Sequence, residues 1–254
     1  MQLEGKVAVV LGASASGGTG WAIAEALAAE GAKVVVAARR IEPLQELADA
    51  IDGLAVVCDG AKQDQIRALS LSAVEAYGKI DIAINCAFFA GDGLIGDSDQ
   101  DTLQTSLDVN FLGHVHFVRY MAEIMNDGGS ITLISAQAAA QPSLGAFAYG
   151  CAKAATDCLV RYAAVEYGGR GIRVNSILPG PIKTSTTAPF LDRFDVNEAF
   201  MEQIPLGRLG LPKDYAQVVV WLAQPGFISG VNLPVSGGMH LNRIPVYRGF
   251  AQSD

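Results

Sequence analysis

A tyrosine and a lysine four residues apart, Tyr149 and Lys153, are the side chains of this sequence best suited to proton transfer. Residues at this spacing share one face of a helix. There, an ammonium group stabilises a phenolate and lets the tyrosine donate and accept a proton near neutral pH. A serine suited to the same site, Ser135, lies fourteen residues before Tyr149. The alternative is a packed aromatic ring beside a lysine that extends its charge to solvent.

A glycine-rich loop far upstream, Gly12 to Gly20, adds a nucleotide site to this pair. It follows an apolar β run from Lys6 to Leu11 and opens an alanine-rich helical stretch from Trp21 to Glu30. Glycines let the backbone turn sharply and approach a pyrophosphate, whose charge lies at the helix N-terminus. Loop and pair together predict a hydride-transfer site. The loop residues expected to bind the cofactor are Gly12, Ser14, Ser16, Gly18 and Thr19.

The end of the second β run indicates which dinucleotide binds. A carboxylate there would hydrogen-bond the adenosine ribose and favour NAD, but Arg39 and Arg40 follow instead. Arg39 can form a bidentate, charge-assisted pair with a 2′-phosphate, so the sequence favours NADP(H), with NAD(H) as the other possibility. Two solvated arginines at a helix start are the alternative. Asp59, which ends the third run, is suited to hold the adenine amino group or to serve in a turn or cap.

Strand-like and helix-like segments alternate along the chain. Runs rich in valine and isoleucine are typical of strands buried on both faces, and their alternation with helices predicts a parallel sheet covered on both sides. No linker or repeat divides the chain, so residues 1–254 are expected to form one doubly wound α/β domain. The least regular segment, 184–205, is expected to form a lid over an apolar cleft. The predicted strands are Lys6–Leu11, Lys33–Ala38, Leu54–Cys58, Ile80–Asn85, Ser130–Ser135, Ile172–Leu178 and Val231–Val235.

Composition and charge disfavour several classes of function. The net charge of −8 argues against nonspecific binding of nucleic acid and of anionic membrane surfaces. No apolar run approaches the ~20 residues of a membrane span. The four cysteines form no CxxC pair, and the three histidines do not join them at metal-site spacing. We therefore expect reduced thiols, no metal ion and a cytoplasmic location.

Taken together, these motifs resemble those of a classical short-chain dehydrogenase/reductase over almost the whole chain, from Lys6 to about Gly238. An ordered series of motifs is far more specific than any one of them. The resemblance implies a single Rossmann-like domain, an NAD(P)(H) cofactor and assembly as a homodimer or homotetramer. The matching motifs are the glycine loop, Asp59, Asn85-Cys86-Ala87, Asn110, Ser135, Tyr149-x-x-x-Lys153, Arg173-Val174-Asn175 and Pro179 to Thr184.

The resemblance also implies a role for each matched residue. Tyr149 is the general acid in carbonyl reduction and the base in alcohol oxidation, while Lys153 binds the nicotinamide ribose and lowers the tyrosine pKa. Ser135 hydrogen-bonds the substrate oxygen. Asn110 lies in a helix and holds a water that links Lys153 to solvent. The residues implied to contact the cofactor are Asn85, Ala87, Pro179, Gly180, Ile182 and Thr184.

The glycine loop departs from the usual family pattern, because five residues instead of three separate Gly12 from Gly18. The longer loop resembles that of the family's enoyl-reductase branch. That branch, however, spaces its catalytic tyrosine and lysine by seven positions, so the four-residue spacing of Tyr149 and Lys153 argues against it.

The serine and the segment after the fourth β run depart as well. The family serine lies thirteen residues before the tyrosine, where this chain has Ala136. An extra residue in the intervening loop would return Ser135 to the site, and without it the site lacks a hydrogen bond worth a few kcal/mol. The family's Asn-Asn-Ala-Gly is here Asn85-Cys86-Ala87-Phe88, and Phe88 and Phe89 add bulk where the substrate should enter.

We therefore predict an NADP(H)-preferring oxidoreductase that interconverts a ketone and a secondary alcohol on a hydrophobic small molecule. Two alternatives stay open. The long glycine loop suggests an enoyl-type reductase of carbon–carbon double bonds, and the displaced serine suggests a nonenzymatic dinucleotide-binding module. The small residues from Ala152 to Ala164 are suited to close packing against a second copy, or simply against the chain's own sheet.

Overall fold

The computed structural model describes residues 2–91 and 93–245, and these residues form one parallel sheet of seven strands. The strands are β1 (Val7–Leu11), β2 (Lys33–Ala38), β3 (Leu54–Val57), β4 (Ile82–Asn85), β5 (Ser130–Ile134), β6 (Arg173–Pro179) and β7 (Asn232–Val235). Their order across the sheet is β3-β2-β1-β4-β5-β6-β7, with every neighbouring pair parallel. The order reverses between β1 and β4, the switch point at which ligands bind in open α/β sheets.

Helices cover both faces of this sheet. They are α1 (Thr19–Ala29), α2 (Ile41–Ile51), α3 (Gln63–Tyr77), α4 (Gln100–Leu107), α5 (Gly113–Ile124), α6 (Phe147–Tyr167), α7 (Ala188–Leu191), α8 (Phe194–Met201) and α9 (Pro212–Ala223). A π turn, Asp108–Leu112, joins α4 directly to α5. Short 3₁₀ turns lie at Ile95–Asp97, Gln137–Ala139, Gly168–Arg170 and Met239–Leu241.

Successive residues of the central strands face two different apolar layers. Ala8 and Val10 of β1 pack in the layer formed with α1, α2 and α9, whereas Val9 and Leu11 pack in the layer formed with α3, α5 and α6. Because side chains alternate along a strand, burial on both faces requires an uninterrupted apolar run. Each fully buried Val or Leu contributes about 1.5–3 kcal/mol, and the two layers together fix the strand ends that carry the site.

The segment 184–205 is more regular than the sequence indicated, because α7 and α8 lie within it. Pro189 occupies the first turn of α7, where its missing N–H costs no hydrogen bond. Apolar residues of the segment form a small core of their own with Leu209 and Met239. Those buried in it are Leu191, Val196, Phe200 and Ile204.

The predicted fold class is confirmed, and the ends of every predicted strand lie within two residues of the observed ones. Periodicity did not predict α9, whose apolar residues pack against α1. In the described ranges no helix is long and apolar enough to cross a membrane. The same ranges contain no group of three or more His, Cys, Asp or Glu side chains that could hold a metal ion.

Candidate active site

A cavity of ≈ 320 Å³ opens at the carboxyl ends of β1, β4, β5 and β6. The predicted site residues in its lining are Gly12, Gly18, Thr19, Ser135, Tyr149, Lys153, Pro179, Gly180, Ile182 and Thr184. The glycine loop and the Tyr149–Lys153 pair, far apart in sequence, therefore meet in one cavity. The predicted residues outside this lining are Ser14, Ser16, Arg39, Asp59, Asn85, Ala87 and Asn110.

Backbone contacts close the glycine loop so tightly that side chains would not fit. A Cβ atom on Gly20 would lie 2.4 Å from the carbonyl oxygen of Gly12, and one on Gly12 would lie 2.7 Å from the backbone nitrogen of Ala87. Gly18 caps α1, whose first residue Thr19 lines the cavity. This cradle, with a helix N-terminus facing it, fits a dinucleotide pyrophosphate. Gly20 was not among the predicted binding residues. Its position two residues after Gly18, within the same glycine-rich loop, could have identified it.

Among the described residues, Arg40 rather than Arg39 hydrogen-bonds the glycine loop. Nη2 of Arg40 donates to the carbonyl oxygen of Ser14 at 2.9 Å and lies 3.4 Å from the Ser14 hydroxyl. Arg39 is exposed beside it. Arg40 therefore anchors the outer rim of the loop, while the Arg39 side chain extends into solvent at the end of β2.

Asp59 and Ser16 make structural contacts at the edge of the site. Oδ1 of Asp59 accepts from the backbone N–H of Ala61 at 3.0 Å, which is the turn role left open for this residue. The carbonyl of Ser16 accepts from the Ser185 hydroxyl at 3.2 Å. This second hydrogen bond ties the segment 184–205 to the glycine loop.

Tyr149 and Lys153 lie on consecutive turns of α6, with Nζ 5.8 Å from the centroid of the tyrosine ring. Burial raises the pKa of Tyr149, and the Asp157 carboxylate acts in the same direction. Burial also lowers the pKa of Lys153 to about 7. Burial and Asp157 thus make Tyr149 a neutral phenol that can donate a proton, and the lowering of its pKa by Lys153 stays a prediction.

Asn110 lies in the π turn, is fully buried, and has its hydrogen-bonding groups engaged. Its carboxamide accepts from the Phe89 N–H at 3.0 Å and donates to the Phe89 carbonyl at 2.8 Å, with a further contact to Ser106. Its backbone carbonyl accepts from the Thr156 hydroxyl at 2.6 Å. Asn110 thus fixes the segment after β4 against α6, and it lies outside the lining that contains Lys153.

The hydroxyl of Ser135 contacts α6 about one turn beyond Tyr149. Its Oγ makes a long, 3.5 Å contact to the Lys153 carbonyl, and its hydrogen bond to Asp157 opposes the rise that burial causes in the pKa of that acid. Ser135 and Ala136 both line the cavity together with Tyr149, whereas only Ala136 also lines a second cavity that adjoins Tyr149. The Ser135 hydroxyl therefore has structural contacts with α6, and its role toward the substrate oxygen stays a prediction.

Asn85 and Ala87 form a tight turn at the end of β4. Oδ1 of Asn85 accepts from the Ala87 N–H at 2.9 Å, while Nδ2 is buried with no hydrogen-bond partner in the part of the chain that the structure describes. Cys86 and Phe88 follow the strand into the cavity lining. Burial raises the pKa of the Cys86 thiol to about 12, so this thiol stays protonated.

A second cavity of ≈ 260 Å³ adjoins the first and shares Tyr149, Ala136 and Phe200 with it. Alanine, proline and other apolar residues dominate its lining, which also includes Met239 and Ile244. Two spaces therefore meet at the Tyr149 ring. One adjoins the glycine loop, and the other, which reaches Met239 and Ile244, is called the apolar cavity below; the linings of both are mostly apolar.

Comparison with known proteins agrees with this geometry. Residues 12–240 match the family model described as enoyl-(acyl carrier protein) reductase. The 7alpha-hydroxysteroid dehydrogenase of Escherichia coli is 32% identical over 247 residues, covering 94% of this chain and 95% of that protein. The 3-oxoacyl-[acyl-carrier-protein] reductase FabG of Thermotoga maritima is 30% identical, covering 94% and 99%. A short-chain type dehydrogenase/reductase from Mycobacterium ulcerans superposes with a TM-score of 0.93 at 26% identity, covering 97% and 94%.

The chain belongs to the short-chain dehydrogenase/reductase family. It is therefore an NAD(P)-dependent oxidoreductase, and its glycine loop and Tyr149–Lys153 pair occupy one site, as the family's chemistry requires. His114 is a site residue that the sequence did not reveal. It is fully buried, and Nε2 lies 3.3 Å from Nζ of Lys153. Nothing in the spacing of His114 predicts this contact, because it depends on how α5 packs against α6.

Proposed function

We propose that this short-chain dehydrogenase/reductase interconverts a ketone and a secondary alcohol on an apolar substrate, with NADP(H) as the preferred cofactor. The observation that carries the proposal is the position of Tyr149, whose ring borders both the glycine-loop cavity and the apolar cavity. A carbonyl in the apolar cavity would meet the phenol on one side and the dinucleotide site on the other.

In the proposed reduction, Tyr149 donates its proton to the carbonyl oxygen as the carbonyl carbon gains a hydride. When bound, NADP(H) supplies that hydride, or takes it up in the reverse direction. Lys153 holds the nicotinamide ribose, while Pro179, Ile182 and Thr184 orient the ring from the lining after β6. The protein supplies orientation and electrostatics. The neutral state of Tyr149 suits the reduction, because the phenol carries the proton to be donated.

Turnover assays test this proposal against the two alternatives that the sequence left open. We expect NADPH consumption with bulky apolar ketones and none with α,β-unsaturated acyl thioesters. Reduction of the thioesters alone would replace this proposal with an enoyl-type reductase. Tight NADPH binding without turnover of any carbonyl would favour the nonenzymatic module instead. Small polar polyols oxidised as fast as bulky apolar alcohols would contradict the apolar substrate.

The cofactor preference rests on two arginines at the end of β2, where no acid is present. We expect Arg39→Ala to weaken NADPH binding about tenfold to a hundredfold, the range of charge-assisted hydrogen bonds, with little change for NADH. Titration by nicotinamide fluorescence measures both affinities. Arg40→Ala is the matched comparison. It should weaken the binding of both NADPH and NADH, because Arg40 hydrogen-bonds the glycine loop itself. Wild-type protein that binds NADH as tightly as NADPH would contradict the preference.

We further propose a homodimer or homotetramer in the cytoplasm. Tyr162 and Val165 of α6 are exposed large hydrophobic side chains, which supports helix packing between copies. The four cysteines are free thiols, as a reducing compartment would keep them. Light scattering on the purified protein measures its oligomeric state, and a monomer would contradict the proposed assembly.

A further inference from the structure

His114 is a buried histidine that the mechanism above does not use. It lies in the first turn of α5, fully buried, with Nε2 3.3 Å from Nζ of Lys153. Its other ring nitrogen, Nδ1, makes no hydrogen bond of standard geometry within residues 2–91 and 93–245, and the backbone of Ala87 acts on the ring only weakly. A buried polar ring with one nitrogen on a lysine and the other poorly engaged costs folding free energy, so this placement needs an explanation.

The lysine decides the protonation state of the histidine. An ammonium group only donates hydrogen bonds, so Nε2 must accept while Lys153 is protonated, and Nδ1 then carries the ring proton. Burial holds the pKa of His114 well below its usual range and the charge of Lys153 adds to this, while the backbone of Ala87 partly opposes it. His114 is therefore a neutral hydrogen-bond acceptor.

Two acceptors from different elements hold Nζ of Lys153. The carbonyl of Ile134, at the end of β5, accepts at 2.7 Å, and His114 accepts from α5. The ammonium has three N–H groups, so one remains for the cavity that Lys153 lines together with Tyr149. The two contacts thus fix the direction of the remaining donor.

The family resemblance gave Asn110 a supporting role that acts through a water, and this role stays a prediction. The Asn110 carboxamide is bound to Phe89 and Ser106, and its carbonyl accepts from Thr156 at 2.6 Å. His114 lies four residues later, on the next turn of the same continuous helix, and it contacts the lysine directly.

We propose that His114 is the positioning residue for Lys153, holding the ammonium as a neutral Nδ1–H imidazole so that its free donor points at the nicotinamide ribose. The inference rests on the oxidoreductase function proposed above, to which it adds a residue that acts through the lysine.

A consequence for pH follows from the surroundings of the lysine. Burial lowers the pKa of Lys153 to about 7, and Cys86 and Asp157 oppose the shift. Those two groups, with Tyr149 on α6 and His114 on α5, are the titratable groups that face Nζ among the described residues. A neutral acceptor favours the ammonium form. Replacing His114 with a residue that cannot accept a hydrogen bond should therefore make Lys153 lose a proton at a lower pH.

The test is the pH dependence of NADPH affinity, measured by nicotinamide fluorescence, for wild type, His114→Leu and His114→Gln. We expect the alkaline loss of affinity to begin about one pH unit lower in His114→Leu, which weakens binding about threefold at the pH halfway between the two midpoints and about tenfold above both. His114→Gln keeps an acceptor and should restore the wild-type midpoint. A wild-type midpoint in folded His114→Leu would overturn the proposal. So would an equal loss of affinity at every pH in both variants, since that indicates a structural role alone.

Nitrogen NMR of the wild-type ring provides a second test that needs no variant and no turnover. We expect a neutral Nδ1–H tautomer from about pH 5 to about pH 7, where Lys153 keeps its proton and an ordinary histidine titrates. An Nε2–H tautomer, or titration near the usual histidine pKa, would overturn the proposal. Because this readout is independent of catalysis, failure of the oxidoreductase proposal and failure of the His114 proposal remain distinguishable.

Discussion

Tyr149→Phe is expected to lower ketone turnover by about 10²–10⁴-fold, the usual contribution of a positioned general acid. The substitution removes one hydroxyl and keeps the ring that separates the two cavities. NADPH affinity should therefore stay within a few-fold of the wild-type value. Because burial raises the pKa of Tyr149, wild-type reduction at saturating NADPH should vary little around neutral pH, whereas alcohol oxidation should accelerate as the pH rises.

Ser135→Ala is the companion variant for the tyrosine experiment. If the serine hydroxyl holds the substrate oxygen, turnover should fall about 10²–10³-fold. If it serves α6, as its contacts with Lys153 and Asp157 favour, turnover should change little, while the free energy of unfolding should fall by about 1 kcal/mol. We expect the second result.

For the tyrosine, a Tyr149→Phe variant that retains more than about a tenth of wild-type turnover would contradict the role of Tyr149 as the general acid.

Lys153→Met is expected to abolish turnover and, at the same time, to stabilise the fold. The lysine is 1% exposed, and burial lowers its pKa to about 7 from the ordinary value of 10.5. Keeping that ammonium buried costs on the order of a few kcal/mol. Methionine fills a similar volume without this cost. Allowing for the carbonyl of Ile134 and Nε2 of His114, which both lose their donor, we expect a net gain of about 2 kcal/mol, or roughly 4–8 °C in Tm.

The sign of the pH dependence distinguishes this explanation from better packing. Between the folded pKa of about 7 and the unfolded value of 10.5, the unfolded chain binds more protons at Lys153 than the folded chain does. The cost of burying the lysine is therefore complete below about pH 7 and is relieved as the pH rises toward about 10. Urea unfolding at about pH 6 and at about pH 9 should show the larger gain for Lys153→Met at the lower pH. An equal gain in stability at both pH values would contradict this explanation. The matched control is Lys213→Met, which replaces an exposed lysine.

The strands were predictable because they are apolar on both faces. A run such as Val7 to Leu11 has no polar residue, so strand position and double burial follow from composition alone. The segment 184–205 was harder to predict. Its helices α7 and α8 are short, and they depend on packing of residues such as Leu191 and Phe200 into a core with Met239, which local spacing does not reveal.

Within the site, motifs located the glycine loop and the Tyr149–Lys153 pair but not the direction of side chains. Spacing placed Ser135 near the tyrosine, but it did not reveal the contact of its hydroxyl with the Lys153 carbonyl on the same helix. Similarly, Arg40 and His114 gain their contacts from neighbours 26 and 39 residues away in the chain. Such contacts depend on tertiary packing, which periodicity cannot encode.

The strand order has a consequence for how the chain folds as it is synthesised. β1 lies between β2 and β4, with Ala8 beside Ile82, so the edge of β1 stays unpaired until the chain has grown through β4. During that interval a short apolar strand presents free N–H and C=O groups, which is the kind of edge that recruits other chains. Arrival of β4 covers this edge, and the Asp81 carboxylate then accepts from the Val7 N–H at 2.9 Å. Productive folding of the N-terminal half is therefore slow by topology and depends on residues beyond position 81.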